Sequence, residues 1–439
     1  MSARVDFPPS GTPYAYVNAG IVDPSAGLEC PGGVVVQNGQ IVACGPEVTI
    51  DALGDIPHID ASGLLLLPGL VDMRVFTGEP GTEHRETLAS ASEAAAAGGV
   101  TTMIVMPNTD PVIDDVALVD FILRRARDTA IVRVAPMAAL TRKLEGKQMT
   151  EFGLLQEAGA VALTDGNRAV RSARVFRRIL SYARDFDMLV VQHVEEPELA
   201  TGVMNEGEVS SRLGLPGIPA AAEIIMLERD LRLVELTGAR YHAAQISCRT
   251  SVELIAQAKA RGLPVTCGVS AAHLILNEND IGAYRTFFKL SPPLRTEDDR
   301  QALVAGVADG TIDVIVSSHD PEEPDTKRLP FAEAEFGAIG LETMLASVLS
   351  LAHRGEVPLS RLVDALSCQP ARILGLGIGT LQPGAPADLT LVAPHHSWRV
   401  EAQALKSKSK NTPFEHRMLE GCVVQTVVAG HLVFSRQID

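Results

Sequence analysis

The chain has 439 residues, 46% of them hydrophobic, which is enough for one large domain and a smaller one. Its formal net charge of −16 would repel a phosphate backbone, and no hydrophobic run approaches the roughly 20 residues of a membrane span. We therefore expect neither a nucleic-acid partner nor a membrane-spanning segment.

The N-terminal residues and the cysteines indicate the compartment. Residues 1–16 contain no apolar segment typical of a signal peptide. The six cysteines are spread along the chain without a CxxC pair, as is usual for free thiols in a reducing environment. These features predict a cytoplasmic protein.

Short alternating segments separated by Gly, Pro and Asn-Gly predict β-strands near both ends of the chain. An Asn38-Gly39 pair lies between two apolar runs, which indicates a hairpin. Near the other end, Gly430 and His431 predict a second turn between strands.

Between the two ends, hydrophobic strands alternate with helical patterns. The predicted strands are residues 70–76, 101–106, 131–137, 160–163, 188–193, 241–246, 264–268 and 314–318, and the predicted helices include 83–97, 116–127, 170–185, 220–236 and 251–261. Eight strands with intervening helices over about 250 residues predict an α/β fold of the (β/α)8 barrel type, whose functional residues lie at the carboxyl ends of the strands. Arg74 and Phe76, two positions apart on the first strand, should face the same side.

Several sequence motifs follow one another in a fixed order. They include PGLVD, EPG-x-EH-x-ET, AAAAGGVTT and MPNTDPV in the first barrel segment, and GAVALTDGNRAV, KLSPPLRTEDD and KSKSKNTPF further on. Together they resemble the dihydroorotases of the cyclic amidohydrolase family. The resemblance implies a TIM-like barrel of the amidohydrolase type over residues 67–379. It also implies a small β-sandwich domain built from both termini, residues 1–66 and 380–439.

In that family, zinc polarises the amide carbonyl and supplies a hydroxide, and catalytic zinc needs about three protein ligands. The resemblance places Arg74 and Phe76 at the two histidines of a His-x-His motif and Gln245 at a further histidine ligand. Ser318 replaces the family's catalytic aspartate. None of these four side chains is a strong zinc ligand, so the sequence predicts no binuclear site.

Two residues, His193 and Asp165, remain at positions that align with family ligands. Together with His319 or Asp320 they could form a rearranged site for a single zinc ion. Each also has a structural interpretation, because His193 could be a hydrogen-bonded strand-end residue and Asp165 a turn residue before glycine. We expect Arg74 to fill the metal space and to pair with Asp165 or with a strand-eight carboxylate, since a buried arginine needs such a partner.

The resemblance also implies a relic substrate pocket. Its predicted members are Asn108, His273, Ser291 and Arg74. Ser291 stands where the family has an asparagine, and Gly78 stands where the family has the arginine that holds the substrate carboxylate. Loss of that bidentate clamp is hard to compensate, although Arg168 or Arg171, after strand four, could replace it.

Three functions follow from this pattern. The favoured one is a dihydroorotase-family protein of de novo pyrimidine biosynthesis, catalytically inactive and metal-free. It would act as a structural or regulatory partner of aspartate carbamoyltransferase, and a homo-oligomer is expected. The alternative is an active dihydroorotase that interconverts N-carbamoyl-L-aspartate and dihydroorotate with a rearranged zinc site. The third is a binding protein for a pyrimidine intermediate, which a ligand-induced stabilisation without turnover would identify.

Overall fold

The computed structural model describes residues 12–438 of the chain. Most of the N-terminal segment on which the absence of a signal peptide was predicted therefore lies outside the described residues. Two large sheets dominate, one of eight parallel strands and one of eight mainly antiparallel strands. All six cysteines are free thiols, and four of them are buried: Cys248, Cys267, Cys368 and Cys422.

The parallel sheet is the predicted barrel. Its strands in spatial order are β6 (Leu70–Val75), β7 (Val100–Val105), β8 (Arg133–Ala138), β9 (Ala162–Thr164), β10 (Val190–Gln192), β13 (Tyr241–Ala243), β14 (Val265–Ser270) and β15 (Val314–Val316). The backbone N–H of Phe76 donates to the carbonyl oxygen of His319 at 2.9 Å, which joins the last strand to the first. All eight predicted strands are present, and the TIM-like barrel is confirmed.

Helices lie between the barrel strands and after the last of them, and one short helix precedes the barrel. The longer ones are α2 (Leu88–Ala97), α3 (Val116–Thr129), α5 (Ala173–Asp185), α7 (Ala220–Thr237), α8 (Arg249–Ala260), α10 (Glu297–Ala308) and α12 (Met344–His353). The shorter ones are α1 (Ile50–Leu53), α4 (Phe152–Glu157), α6 (Glu208–Leu213), α9 (Ala271–Ile275), α11 (Pro324–Lys327), α13 (Leu359–Val363) and α14 (Gln369–Ile373). The predicted start of α2 at residue 83 is wrong, because the Thr87 hydroxyl caps the helix by accepting from Ser90 N at 3.1 Å.

The second sheet combines strands from both ends of the chain. Its strands are β1 (Tyr14–Asp23), β2 (Leu28–Gln37), β3 (Gln40–Gly45), β4 (His58–Asp60) and β5 (Leu65–Pro68), with β16 (Leu389–Arg399), β17 (Met418–Val428) and β18 (His431–Ser435). β5 pairs with β16, which connects the two termini. The predicted hairpin is confirmed, since Asn38 and Gly39 turn between β2 and β3 with φ of 52° and 75°. The second turn, between β17 and β18, is formed by Ala429 and Gly430, one residue earlier than predicted, because His431 already pairs with Val428 as the first residue of β18.

The eight terminal strands belong to one hydrogen-bonded sheet, so both termini do build an additional β unit beside the barrel. The domain limits at residues 66 and 380 stay a prediction. A further pair of short parallel strands, β11 (Met204–Asn205) and β12 (Gly217–Ile218), lies in the loop after β10. No helix within residues 12–438 is long and apolar enough to cross a membrane.

Candidate functional site

The carboxyl ends of the barrel strands form one face, called here the barrel mouth. Barrel strands five, six and eight end earlier than predicted, at Gln192, Ala243 and Val316. His193, Gln245 and Ser318 therefore lie in the loops directly after these strands. That is the position from which barrel loops present functional side chains.

Arg74 is buried at the end of β6, with 3% of its surface exposed. Its guanidinium lies over the ring of Phe76, with 5.2 Å from the guanidinium carbon to the ring centroid, which confirms that the two side chains share one side of the strand. The Nε and Nη1 atoms are buried without a hydrogen-bond partner in the described part of the chain. Burial lowers the pKa of Arg74 to about 10, against the opposing effects of Asp320 and Asp72.

The expected ion pair of Arg74 with Asp165 or with a strand-eight carboxylate is not formed. Within residues 12–438, no carboxylate oxygen lies within 4 Å of the Arg74 guanidinium nitrogens. Asp165 is instead held by Thr141, whose backbone N–H and hydroxyl donate to the two carboxylate oxygens at 2.9 and 2.5 Å. Burial nevertheless raises the pKa of Asp165 to about 6.

His193 follows β10 and is buried, with 2% exposure. Its Nε2 atom lies 3.2 Å from Oε2 of Glu195 and 3.4 Å from the hydroxyl of Ser291. Its Nδ1 atom is buried without a partner among the described residues. Burial alone would raise the pKa of Glu195, but the His193 hydrogen bond and charge offset it and the pKa is lowered. The carboxylate of Glu195 therefore engages His193.

Gln245, predicted to stand at a further family ligand position, is 1% exposed. Both its Oε1 and its Nε2 are buried without a hydrogen-bond partner in the described residues. His242 does not take its place, because its Nδ1 atom contacts the Thr266 hydroxyl at 2.8 Å. Ser318, predicted to replace the family's catalytic aspartate, has a left-handed backbone with φ of 50° and a side chain without a carboxylate.

Two of the predicted pocket residues, His273 and Ser291, line one small cavity with Ser270, Ser317, Ser318 and Asp320. Its volume of about 30 Å³ is close to the space of a single water molecule. Nε2 of His273 lies 3.0 Å from the Pro292 carbonyl oxygen, so it must donate there, and Nδ1 accepts from the Ser270 hydroxyl at 2.6 Å. Burial lowers the pKa of His273 to about 4, which keeps this ring neutral.

Asn108, the fourth predicted pocket residue, lies beside the strand-four loop. A side chain at Gly166 would approach its amide carbon to 3.1 Å, so the glycine after Asp165 permits this close packing. Arg168 and Arg171 line a different space, a cleft of about 320 Å³ that also contains His193 and Glu195. Arg171 pairs there with Glu198 on the surface.

His319 turns away from the other candidate ligands. It is fully buried, and its Nε2 atom lies 3.5 Å from Oε2 of Glu86, in the loop before α2. Glu86 also accepts hydrogen bonds from the Ser90 and Ser407 hydroxyls and from Lys408 N, at 3.1 Å for the last. Burial alone would raise the pKa of Glu86, but the contact with His319 and its charge, followed by the Ser407 and Ser90 hydrogen bonds, lower it. His319 thus belongs to a contact between the first barrel loop and residues 406–411.

The donors at the barrel mouth do not fit a zinc ion. A metal site needs three or more ligand atoms close together, and among residues 12–438 only His353, His395 and Glu420 bring three such atoms within 4.8 Å of one another. These residues lie outside the mouth, on α12, β16 and β17. His193, Asp165 and His319 are not brought together, and each has another partner.

Sequence reasoning missed the partners that hold the candidate ligands: Thr141, Glu195 and Glu86. One signal was available, because Glu195 lies two positions after His193, a spacing that lets two side chains of an extended segment meet. The strand-eight loop is also more strongly buried than an acidic surface loop would be. Burial raises the pKa of Asp320 to about 6 and that of Glu322 to about 8, although Arg74 and Arg85, respectively, oppose it.

Solved structures with this architecture define the class of protein. The L-hydantoinase (dihydropyrimidinase) of Arthrobacter aurescens superposes with a TM-score of 0.86 at 25% identity, over 96% of each chain. The dihydropyrimidinase of Brevibacillus agri superposes with a TM-score of 0.83 at 21% identity, over 97% of this chain and 95% of the other. The fold is that of the amidohydrolase barrels.

Sequence comparison gives the family. A family model described as Dihydro-orotase-like matches residues 63–251. A dihydroorotase of Citrifermentans bemidjiense is 43% identical over 415 residues, 94% of this chain and 97% of its own. A dihydroorotase of Pelobacter propionicus is 44% identical over 420 residues, 95% and 99% of the two chains. This chain belongs to the dihydroorotase family, as the sequence motifs predicted.

Proposed function

We propose that this chain is a cytoplasmic dihydroorotase-family protein of pyrimidine biosynthesis that neither binds zinc in its barrel nor turns over dihydroorotate. It serves as a structural or regulatory partner of aspartate carbamoyltransferase. The proposal is carried by four residues at the barrel mouth, Arg74, Phe76, Gln245 and Ser318, which stand where the family resemblance implies zinc donors, within a complete eight-stranded barrel.

The charge of Arg74 supports the metal-free half of this proposal. A guanidinium at the first ligand position places a positive charge where zinc would sit, so it repels a cation and offers no lone pair. The remaining donors are already engaged, with Asp165 held by Thr141 and His193 beside Glu195. Zinc would have to break these contacts before it could gather three ligands.

The partner half of the proposal rests on the family resemblance, and the surface of α7 supports it. Ile225 and Leu236 are 50% and 61% exposed. They lie eleven residues apart, about three helical turns, and so on one face of α7. Arg229 and Arg232 lie between them, so we infer a mixed apolar and basic association surface on this face. The same surface would serve the expected homo-oligomer.

Purified full-length protein tests both halves. We expect no hydrolysis of dihydroorotate with or without added zinc, and co-purification with aspartate carbamoyltransferase when the two are expressed together. Ile225→Ser with Leu236→Ser should weaken that complex, whereas Leu154→Ser, a control at a 54% exposed leucine on α4, should leave it intact. Zinc-dependent turnover by the unmodified chain would contradict the first half, and no complex would contradict the second.

The second candidate is an active dihydroorotase with a rearranged zinc site, and the identity to proteins named dihydroorotase favours it. It predicts turnover that His193→Ala and Asp165→Ala both abolish. A third outcome, thermal stabilisation by dihydroorotate or N-carbamoyl-L-aspartate without turnover, would indicate a binding function.

A further inference from the structure

A cluster of two histidines and one glutamate lies outside the barrel mouth. Nδ1 of His395 is 3.2 Å from Oε1 of Glu420, and Nδ1 of His353 is 3.7 Å from Oε2 of the same carboxylate. The two imidazole rings lie side by side, with centroids 5.3 Å apart and planes inclined by 32°. All three potential ligand atoms fall within 4.8 Å of one another.

The local backbone explains why these three side chains meet. β16 carries a bulge, because Ala393 pairs with Cys422 and Ser397 with Glu420, which leaves three residues of β16 opposite the single Gly421. His395 is the middle residue of this bulge and is 79% exposed at its side chain. The bulge therefore directs His395 to the surface beside Glu420.

The third member, His353, is brought in by α12, of which it is the last residue. A side chain at Gly421 would approach Cδ1 of Leu349 to 2.6 Å, so the glycine lets β17 pack closely against this helix. Leu349 and His353 are four residues apart and share one face of the helix. Packing at Leu349 thus places His353 next to the carboxylate of Glu420.

We propose that His353, His395 and Glu420 bind one divalent transition-metal ion of the Zn²⁺ type, with a remaining position open to water. Ligand atoms around a tetrahedral zinc are separated by roughly 3.3 Å, given bond lengths of about 2.0–2.1 Å. The two nitrogen–oxygen separations, 3.2 Å from His395 to Oε1 and 3.7 Å from His353 to Oε2, are close to this value, although each imidazole meets a different oxygen of the Glu420 carboxylate. Rotation of the exposed His395 side chain completes the approach.

The donor types define the metal. Two imidazoles and one carboxylate suit Zn²⁺, Ni²⁺ or Cu²⁺, whereas Ca²⁺ and Mg²⁺ prefer oxygen ligands throughout. The site differs from the family's metal position because its ligands come from α12 and the terminal sheet. It does not depend on whether the barrel is active.

Titration of the full-length protein with Co²⁺, followed by visible absorption, tests the site. We expect one tightly bound Co²⁺ per chain with the spectrum of a four- or five-coordinate ion, displaced by Zn²⁺. His395→Ala and Glu420→Gln should each weaken Co²⁺ binding by at least about 100-fold. Mutating a residue that only hydrogen-bonds to a metal ligand already lowers metal affinity about 10–100-fold. His431→Ala, a matched control at an exposed histidine of β18, should bind like the parent chain.

Unchanged circular dichroism spectra of the variants establish that they fold. Absence of saturable Co²⁺ binding by the parent chain would overturn the proposal. Binding that survives in His395→Ala and Glu420→Gln but disappears in His193→Ala would also overturn it. That second result would place the metal in the barrel and would separately contradict the proposed lack of a barrel site.

Discussion

The guanidinium carbon of Arg74 lies 5.2 Å from the centre of the Phe76 ring, so these two side chains, predicted to stand at the family's His-x-His positions, pack against each other. A cation over an aromatic face is attractive, and we expect the pair to fill the space that the resemblance assigns to a metal. The packing leaves hydrogen-bond donors of Arg74 unpaired, because Nε and Nη1 have no hydrogen-bond partner among the described residues. The burial of the Arg74 charge with so few hydrogen-bond partners should therefore lower the stability of the folded protein.

Arg74→Met should therefore stabilise the protein at pH 5. Burial raises the pKa values of Asp72 and Asp320 to about 6, so both carboxyls are largely neutral at pH 5. Their negative charges then no longer stabilise the buried guanidinium. Replacing a poorly compensated buried charge by an apolar side chain is expected to add about 1–3 kcal/mol to the free energy of unfolding. Urea unfolding measures this change.

The matched control is Arg295→Met. Arg295 is equally buried, but it donates to Ser247 Oγ at 3.1 Å, Asn205 Oδ1 at 2.9 Å and the Ile218 carbonyl oxygen at 2.7 Å. Its replacement should reduce the free energy of unfolding by about 3 kcal/mol, because it leaves buried acceptors unpaired. A similar loss in Arg74→Met would show that Arg74 is well compensated.

Asp165→Asn should stabilise the protein at pH 7.5 and not at pH 4. The carboxyl ionises near 3.8 in the unfolded chain and near 6 in the folded chain, so its contribution is full below pH 4 and is lost as the pH rises towards 6. The neutral amide avoids this loss, and we expect a gain of about 1–2 kcal/mol at pH 7.5. Chemical unfolding at both pH values measures it.

Asp60→Asn is the control for that experiment. Hydrogen bonds from Ser62 and Asn18 lower the pKa of this exposed carboxyl, so its neutral replacement should bring no gain at pH 7.5. Equal destabilisation of Asp165→Asn at both pH values would mean that the charged form of Asp165 is required, as it would be in a metal ligand.

Glu86→Ala should release residues 406–411 from the barrel. Glu86 is fully buried and accepts from Ser90, Ser407 and Lys408, so its loss leaves several donors unpaired and should cost about 3 kcal/mol. Trypsin should then cleave faster after Lys406, Lys408 or Lys410. Glu83→Ala, at an exposed glutamate of the same loop, should leave the cleavage rate unchanged.

Restoring the family donors should create a barrel zinc site. The variant Arg74→His, Phe76→His, Gln245→His and Ser318→Asp adds four donors to His193 and Asp165 and removes the opposing charge. We expect it to bind zinc that the parent barrel lacks, and a further His193→Ala substitution to weaken that binding. Equal zinc uptake by the parent chain, measured with His395→Ala in both proteins, would argue against a dismantled site.

The sequence predicted the architecture because it is encoded in local patterns. Eight apolar strands, the Asn38-Gly39 hairpin and the family motifs all need only neighbouring residues for their interpretation. The partners within the site depend on contacts between distant segments. Thr141 reaches Asp165 across 24 residues and Ser407 reaches Glu86 across 321, and no periodicity predicts either contact.

The three-residue cluster on the terminal sheet was missed for the same reason. The bulge in β16 and the packing of α12 place His395 beside Glu420 and His353, and neither feature can be read from the local sequence around His395. The sequence predicts that family zinc ligands are replaced in the barrel. The structure shows that the remaining candidate ligands, Asp165, His193 and His319, contact Thr141, Glu195 and Glu86.

Zinc content of purified His395→Ala, measured by elemental analysis together with dihydroorotate hydrolysis on the same sample, tests the central claim most directly. The substitution removes the proposed surface site, so any bound zinc reports on the barrel. We predict no zinc and no turnover. About one zinc or more per chain with turnover, both lost on adding His193→Ala, would contradict the account and establish an active enzyme with a rearranged site.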